Sequence, residues 1–169
     1  MDVSIIQGNI AAQTADCLVN AAGTSLVMGS GVAGALREAA HGPINEAAVA
    51  QGPVSLGGVA VTEAFDLPAR WVIHAAAMPH YGDGRATEHS IREAVRNTLQ
   101  TAEELECRSL VLPPLGCGVA GFDLATGARL ILEEIDRFEP HTLNDVRLIV
   151  YREADLGVVE EVARAVRGD

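Results

Sequence analysis

The sequence predicts an α/β fold in which helices cover both faces of a sheet. Short β-type runs alternate with amphipathic helical stretches along the chain, an order typical of α/β layer folds. Several of the β-type runs are almost wholly apolar, as expected for strands that are buried on both faces. With 169 residues and 49% hydrophobic content, the chain is expected to form one well-buried domain spanning residues 1–169.

Six strands and five helices are predicted in order. The strands cover residues 3–6, 17–20, 59–65, 72–76, 110–112 and 146–151. The helices cover residues 32–40, 44–50, 88–105, 124–138 and 156–166, and the third carries apolar residues at helical spacing. Gly42 and Pro43 end the first helix, while Asp123 and Asp155 are the predicted N-caps of the last two.

The charge balance restricts the choice of partners. There are 23 acidic and 12 basic residues, which give a net charge of -11, and such a surface repels the phosphates of nucleic acids. All twelve basic residues are arginine. A lysine-free acidic surface also resembles proteins from salt-loving organisms, although a GC-rich genome favours arginine as well. A halophilic source is therefore a hypothesis, and equal melting temperatures at low and molar KCl would remove it.

Cysteine and histidine spacing predicts neither a disulfide nor a metal site. Cys17, Cys107 and Cys117 are odd in number and lack the spacing of a zinc site or a redox pair, and the five histidines are scattered. No cofactor is predicted.

No apolar run approaches the roughly 20 residues of a membrane span, and the first residues lack the pattern of a secretory signal. We therefore expect a cytoplasmic protein without membrane association.

Two glycine-rich segments give the first indication of function. Residues 28–34 and 116–122 each precede the predicted start of a helix. Free backbone N–H groups and the positive end of a helix dipole would then point at whatever lies between the two segments, an arrangement that suits a diphosphate. The sequence thus predicts a nucleotide-like ligand that is held without cationic side chains.

Five segments together resemble the macro domain family, whose members are ADP-ribose-recognising modules. In chain order they are QGNI, LVNAAG, GSGVAGAL, LPARWVIHAA and LGCGVAGF, and they cover nearly the whole chain. The resemblance implies a three-layer α/β/α sandwich around a central mixed, mostly parallel sheet. It also implies that ADP-ribose or one of its derivatives is the ligand.

The resemblance assigns the two ends of the ligand to particular residues. Asn9 and Ile10 match the segment that recognises adenine, although Asn9 replaces an acidic residue and is a weaker, neutral acceptor. Asn20 matches an asparagine near the distal ribose. Gly23 replaces the second asparagine of that segment, so that either a water fills the gap or the pocket accepts a larger ribose substituent.

The glycine-rich segments and two aromatic residues complete the implied site. The implied diphosphate contacts come from Gly31, Val32 and Ala33 on one side, with Ser30 in place of a glycine, and from Gly118, Val119, Ala120 and Gly121 on the other. Tyr151 matches the position that stacks on adenine, and Phe122 is the second candidate. Both aromatics are alternatively ordinary core or rim residues.

Catalytic groups of the family are missing from the matching positions. Ala33 and Ala120 stand where two types of hydrolase in the family carry an aspartate, and the chain has no lysine nucleophile. Asn20 remains a candidate for orienting a water, with His80 or Asp83 assisting from the loop at 78–84. That loop is alternatively a plain surface loop, and the three polar residues alternatively only position the ligand or face solvent.

Cys117 is a further candidate nucleophile, or a small residue that suits its turn.

Three functions remain open, of which ADP-ribose binding is preferred. The second is hydrolysis of O-acetyl-ADP-ribose or of an ADP-ribosylated protein, which would make that protein a partner. The third is broader binding of nucleotides or RNA ends, against which the acidic surface argues.

Overall fold

The computed structural model describes residues 1–168. These residues form six strands, five helices and two short 3-10 turns. The strands are β1 (Asp2–Gln7), β2 (Cys17–Gly23), β3 (Val59–Glu63), β4 (Trp71–Met78), β5 (Ser109–Leu112) and β6 (Asp145–Val150). The helices are α1 (Gly31–Ala40), α2 (Ile44–Val49), α3 (Glu88–Glu104), α4 (Leu124–Arg137) and α5 (Glu153–Arg167), and the 3-10 turns are Ile10–Ala12 and Gly118–Ala120.

One mixed sheet contains all six strands, in the order β1-β6-β5-β2-β4-β3. Every neighbouring pair is parallel except β3 and β4, which are antiparallel. The carboxyl ends of the five parallel strands therefore meet at one edge of the sheet, the edge at which ligands bind in open α/β sheets.

Helices cover both faces of the sheet, and on each face an apolar cluster lies between the helices and the strands. The larger cluster lies under α3, α4 and α5, and its strand residues include Val19, Ile73, Leu110 and Leu148. The second lies under α1 and the start of α2, and its strand residues include Leu18, Val72, Val111 and Ile149. Neighbouring residues of one strand belong to opposite clusters, as the two-residue period of a strand requires. The predicted three-layer α/β/α fold is confirmed.

Several predicted boundaries are wrong by two or three residues; β2, for example, continues to Gly23 and β4 to Met78, beyond their predicted ends at residues 20 and 76. Asp123 caps α4 as predicted, because its side chain accepts from the Thr126 N–H. Asp155 does not cap α5: the helix begins at Glu153 with Arg152 as its N-cap residue, so Asp155 lies inside the first turn. The third predicted strand also ends early, since Phe65 adopts a left-handed φ of 53° that breaks the extended backbone.

The cysteine prediction is wrong as well. Cys17 and Cys107 form a disulfide between residues separated by 90 positions, and Cys117 is the free cysteine. Cys17 begins β2, and Cys107 lies just before β5, which pairs with β2. The folded sheet thus brings together two fully buried residues that no local spacing pattern connects. No helix within residues 1–168 is long and apolar enough to cross a membrane.

Candidate functional site

A cleft of about 820 Å³ opens at the carboxyl edge of the sheet. Its walls come from the segments that follow β1, β5 and β6, from the last residues of β4, and from the start of α1. The lining includes Asn9, Ile10, Gly31, Val32, Gly118, Val119, Ala120, Phe122 and Tyr151. Nine of the predicted binding residues are thus brought together, although they come from four distant parts of the sequence.

The N-terminus of α1 presents unpaired amides to this cleft. Its N-cap residue, Ser30, makes no side-chain capping bond, and the first intrahelical bond runs from the Gly34 N–H to the Ser30 carbonyl at 3.4 Å. The N–H groups of Gly31, Val32 and Ala33 therefore have no partner in the helix. Ala33 itself is buried and does not line the cleft. Gly31 has a φ of 64° and open space where a Cβ would lie, so the backbone conformation accounts for the glycine.

The second glycine-rich loop offers fewer amides than predicted. The Gly118 N–H donates to the Phe122 carbonyl at 3.0 Å, and the Gly121 N–H donates to the Gly118 carbonyl at 3.0 Å. Both N–H groups are therefore used within the loop, and Gly121 does not line the cleft. Val119 is highly exposed at the cleft. The prediction of a full second row of donors is therefore corrected.

One end of the cleft combines an apolar wall with an exposed aromatic ring. Ile10 is buried in the wall, and Tyr151, which directly follows β6, is 77% exposed. Phe122 is half-buried in the lining. The Asn9 Oδ1 accepts the Ala11 N–H at 2.9 Å and so caps the 3-10 turn. That oxygen keeps one lone pair for a further donor.

A cation also lines the cleft, contrary to the expectation of a site without basic side chains. Arg152 follows Tyr151, and its Nη2 and Nε donate to the Asp155 carboxylate at 3.0 and 3.1 Å. Hydrogen bonds to Asp155 hold the pKa of the Arg152 guanidinium above its ordinary value. The arginine is therefore directed at its neighbour on α5, and Asp155 places a carboxylate in the lining.

Asn20 lies beneath the cleft and is not part of its lining. Its side chain is only 1% exposed, and its Nδ2 donates to His74 Nδ1 at 3.0 Å. His74 Nε2 in turn donates to Thr62 Oγ1 at 2.9 Å, and burial lowers the pKa of His74 to about 4. Neither His74 nor Thr62 is among the residues predicted for the site. The signal that was available is the polarity of His74 inside the otherwise apolar run of residues 71–78.

The loop predicted at residues 78–84 covers residues 79–86 in the structure, between β4 and α3, and it passes beside Gly23. A Cβ on Gly23 would lie 2.8 Å from the Pro79 carbonyl oxygen. The backbone of this loop therefore passes close to the place where the Cβ of an asparagine would lie, so that position 23 does not face an open gap. The expectation of a gap at Gly23 is corrected.

Both ends of the same loop are tied to the body of the protein. The His80 N–H donates to Thr24 Oγ1 at 3.1 Å, and His80 Nδ1 shares a hydrogen bond of 2.7 Å with Ser25 Oγ. At the other end the Ala86 N–H donates to the Ala120 carbonyl at 2.8 Å. The catalytic candidates His80 and Asp83 are exposed on this loop and do not line the cleft.

Cys117 lines the cleft as a neutral thiol. Burial, and then the charge of Asp123, raise the pKa of the Cys117 thiol to about 12. The sulfur packs against α4 at Gly127, where there is no room for a Cβ. An activated nucleophile has a lowered pKa, so this geometry favours the interpretation of Cys117 as a small packing residue. Among residues 1–168, no three His, Cys, Asp or Glu side chains form a group suited to a metal ion.

Known proteins resemble this chain in sequence. The profile of the macro domain family matches residues 19–131. A protein of Sulfurisphaera tokodaii is 40% identical over 162 residues, which cover 90% of this chain and 86% of the relative. A macro domain-containing protein of Caldanaerobacter subterraneus subsp. tengcongensis is 30% identical over 161 residues, covering 92% of each. An uncharacterized protein of Mycobacterium bovis is 36% identical over 91% of this chain, and the chain spans 42% of its length.

Solved structures resemble the chain in fold. A variant of the Oceanobacillus iheyensis macrodomain with ADPR superposes with a TM-score of 0.88 at 26% identity, covering 98% of this chain and 93% of that one. The Trypanosoma brucei macrodomain in complex with ADP gives a TM-score of 0.84 at 25% identity, covering 95% and 68%. The sequence match spans most of the chain and the fold agrees over nearly its whole length. The chain belongs to the macro domain family.

Proposed function

We propose that this protein binds ADP-ribose, or a derivative of ADP-ribose, in the cleft at the carboxyl edge of the sheet. The observation that carries the proposal is the uncapped first turn of α1. Its N–H groups at Gly31, Val32 and Ala33 have no intrahelical partner, and Gly31 and Val32 line the cleft. An uncapped helix N-terminus with left-over amides is a suitable partner for a phosphate group.

The rest of the cleft suits the remaining parts of the ligand. Tyr151 and Ile10 offer a stacking ring and an apolar wall to a purine, and Asn9 adds a polar group beside them. Val119 lies in the loop that lines the diphosphate region from the other side. The macrodomain structures that contain ADPR or ADP support the same class of ligand.

Binding is favoured over hydrolysis as the activity of the site. None of the three catalytic candidates, Asn20, His80 and Asp83, belongs to the residues that line the cleft. Cys117 does line it, but burial keeps its thiol protonated at neutral pH. The side chains in the lining therefore supply contacts and shape, whereas an activated nucleophile or a poised general base would be required for rapid turnover.

Calorimetric titration with ADP-ribose, ADP and AMP tests the proposal. ADP-ribose and ADP are expected to bind, and AMP is expected to bind more weakly because it lacks the second phosphate. Incubation with O-acetyl-ADP-ribose and with an ADP-ribosylated protein is expected to give no release of ADP-ribose. The proposal fails if ADP-ribose does not bind, and steady turnover of either substrate would replace binding with hydrolysis.

A further inference from the structure

The nucleoside end of the cleft contains a carboxylate to which the proposed function gives no role. If the ligand is ADP-ribose, as proposed above, its nucleoside half offers two kinds of hydrogen-bond donor: the amino group of the base and the hydroxyls of the adjoining ribose. Asn9, Ile10 and Tyr151 are the groups proposed for the base. A partner for the ribose hydroxyls is still to be found.

Asp155 is suitably located to be that partner. It lines the same cleft as Asn9 and Tyr151 and lies in the first turn of α5, with its N–H donating to the Arg152 carbonyl at 3.0 Å. Its side chain is 22% exposed, so it is accessible from the cleft while partly enclosed by protein. The charge of a carboxylate in the first turn of a helix interacts favourably with the helix dipole.

Arg152 fixes the orientation of this carboxylate without using all of its acceptor capacity. The guanidinium donates to both oxygens of Asp155, to Oδ1 from Nη2 at 3.0 Å and to Oδ2 from Nε at 3.1 Å. Such a two-bond contact restricts the rotation of both side chains. An ionised carboxylate has about four lone-pair positions, so about two remain for a ligand.

We infer that Asp155 accepts hydrogen bonds from the hydroxyls of the ribose next to the base, and that it thereby discriminates against ligands carrying a phosphate on that ribose. An ionised carboxylate can only accept hydrogen bonds, and the ribose hydroxyls are donors that the residues proposed for the base do not bind. A 2′-phosphate at the same place would meet a like charge at short range. In dinucleotide-binding folds an acidic residue likewise selects a free 2′-hydroxyl.

Two ligands and three proteins test this inference by calorimetry. The ligands are ADP-ribose and its 2′-phosphorylated form, and the proteins are the wild type, Asp155→Asn and Glu153→Gln. Glu153 is exposed in the same helical turn but does not line the cleft, so its substitution removes an equal charge from the same region. All titrations are made at one ionic strength, because screening weakens charge effects.

The wild type is expected to bind ADP-ribose at least about tenfold more tightly than the 2′-phosphorylated form, as one charge-assisted contact predicts. Asp155→Asn is expected to lower this ratio at least about fivefold, because a neutral amide weakens the repulsion and releases Arg152 toward the phosphate. Glu153→Gln is expected to leave the ratio unchanged.

An unchanged ratio in Asp155→Asn overturns the inference, and so does an equal change in Glu153→Gln. The inosine analogue of ADP-ribose serves as a third ligand that tests contact with the base. If Asp155→Asn no longer discriminates between ADP-ribose and this analogue, while its preference between ADP-ribose and the 2′-phosphorylated form is unchanged, the inference is also overturned, because Asp155 would then contact the base. Failure of the proposed function is distinguishable from these results, since the wild type would then bind neither ligand.

Discussion

At the scale of single residues, the least expected feature is the row of polar side chains under the cleft. Asn20, His74 and Thr62 are all buried and belong to three neighbouring strands, β2, β4 and β3. Two hydrogen bonds join them across the sheet. Because the Asn20 amide can only donate through its nitrogen, His74 accepts at Nδ1 and carries its proton at Nε2. The row thus requires a neutral histidine.

This requirement predicts a pH-dependent stability. The pKa of His74 is about 4 in the folded protein, against an ordinary value of 6.5, because burial disfavours the charged ring. Above pH 6.5 the histidine is neutral in both states. Below that pH the unfolded chain takes up the proton first, so the free energy of unfolding falls as the pH decreases from about 6.5 to about 4. At pH 4.5 the loss from this group is about 2–3 kcal/mol.

Urea unfolding of the wild type and of His74→Gln at pH 7 and pH 4.5 isolates this contribution. Glutamine does not titrate, and the acidic residues common to both proteins contribute equally to the two pH profiles. The free energy of unfolding of the wild type should therefore decrease more than that of the variant over this interval. Parallel profiles would show that His74 does not titrate in the folded and unfolded states as described.

Tyr151 carries a second prediction at this scale. Its ring is the exposed aromatic group of the cleft, and stacking on a base typically contributes about 1–3 kcal/mol. Tyr151→Ala should weaken ADP-ribose binding by that amount in calorimetry. Tyr81→Ala is the matched control, because Tyr81 is 78% exposed and does not line the cleft. Equal affinities of the two variants would mean that Tyr151 does not contact the ligand.

At the scale of elements, the path of the 79–86 loop restricts which residue can end β2. The end of β2 carries glycine at position 23 because the Pro79 carbonyl passes within 2.8 Å of the place where a Cβ would lie. His80 then joins the loop to Thr24 and Ser25. An asparagine at this position, as the family pattern has it, is therefore incompatible with the observed path of the loop.

Gly23→Asn should displace the loop and lower the stability. Overpacking against backbone typically costs about 1–3 kcal/mol, and the melting temperature should fall accordingly. Gly29→Asn is the control, since a Cβ at position 29 would meet nothing within 4 Å and Gly29 does not line the cleft. If both variants melt at the wild-type temperature, the close approach at Gly23 does not constrain the protein.

Local sequence signals predicted the helices and strands but not every contact that they make. The N-cap at Asp123 is readable because a carboxylate there meets the Thr126 N–H three residues later. The start of α5 was predicted three residues too late. An aspartate just before an apolar run is typical of an N-cap, but the Asp155 side chain accepts hydrogen bonds from Arg152 inside the first turn of the helix. The bonds of Gly118 and Gly121 within their own loop depend on its three-dimensional path, and glycine content alone does not reveal them.

At the scale of the whole molecule, the sheet brings together residues that lie far apart in the chain. The α/β alternation predicted the layers, and the family resemblance predicted the mixed sheet; both are confirmed. The disulfide was not predictable from spacing, since Cys17 and Cys107 meet only through the pairing of β2 with β5. The same reasoning applies to His74, whose partners Asn20 and Thr62 lie on two other strands.

The disulfide predicts a marked effect of reduction on stability. Closing a chain segment of this length is expected to stabilise the folded state by roughly 2–5 kcal/mol. The free energy of unfolding, measured in urea with and without dithiothreitol, should differ by that amount. The Cys117→Ala variant removes the free thiol, so that alkylation of the unfolded, unreduced variant should modify no cysteine. Alkylation of both remaining cysteines would show that the crosslink is absent.

The central claim is that main-chain amides at the N-terminus of α1 bind the diphosphate of the ligand. Calorimetric titration of ADP-ribose into the wild type, Gly31→Ala and Gly31→Glu tests it most directly, since both variants strain the left-handed φ at this position but only one adds a carboxylate. We expect Gly31→Glu to weaken binding more than about a hundredfold relative to Gly31→Ala. Equal affinities of the two variants would contradict the claim, because the diphosphate would then lie away from α1.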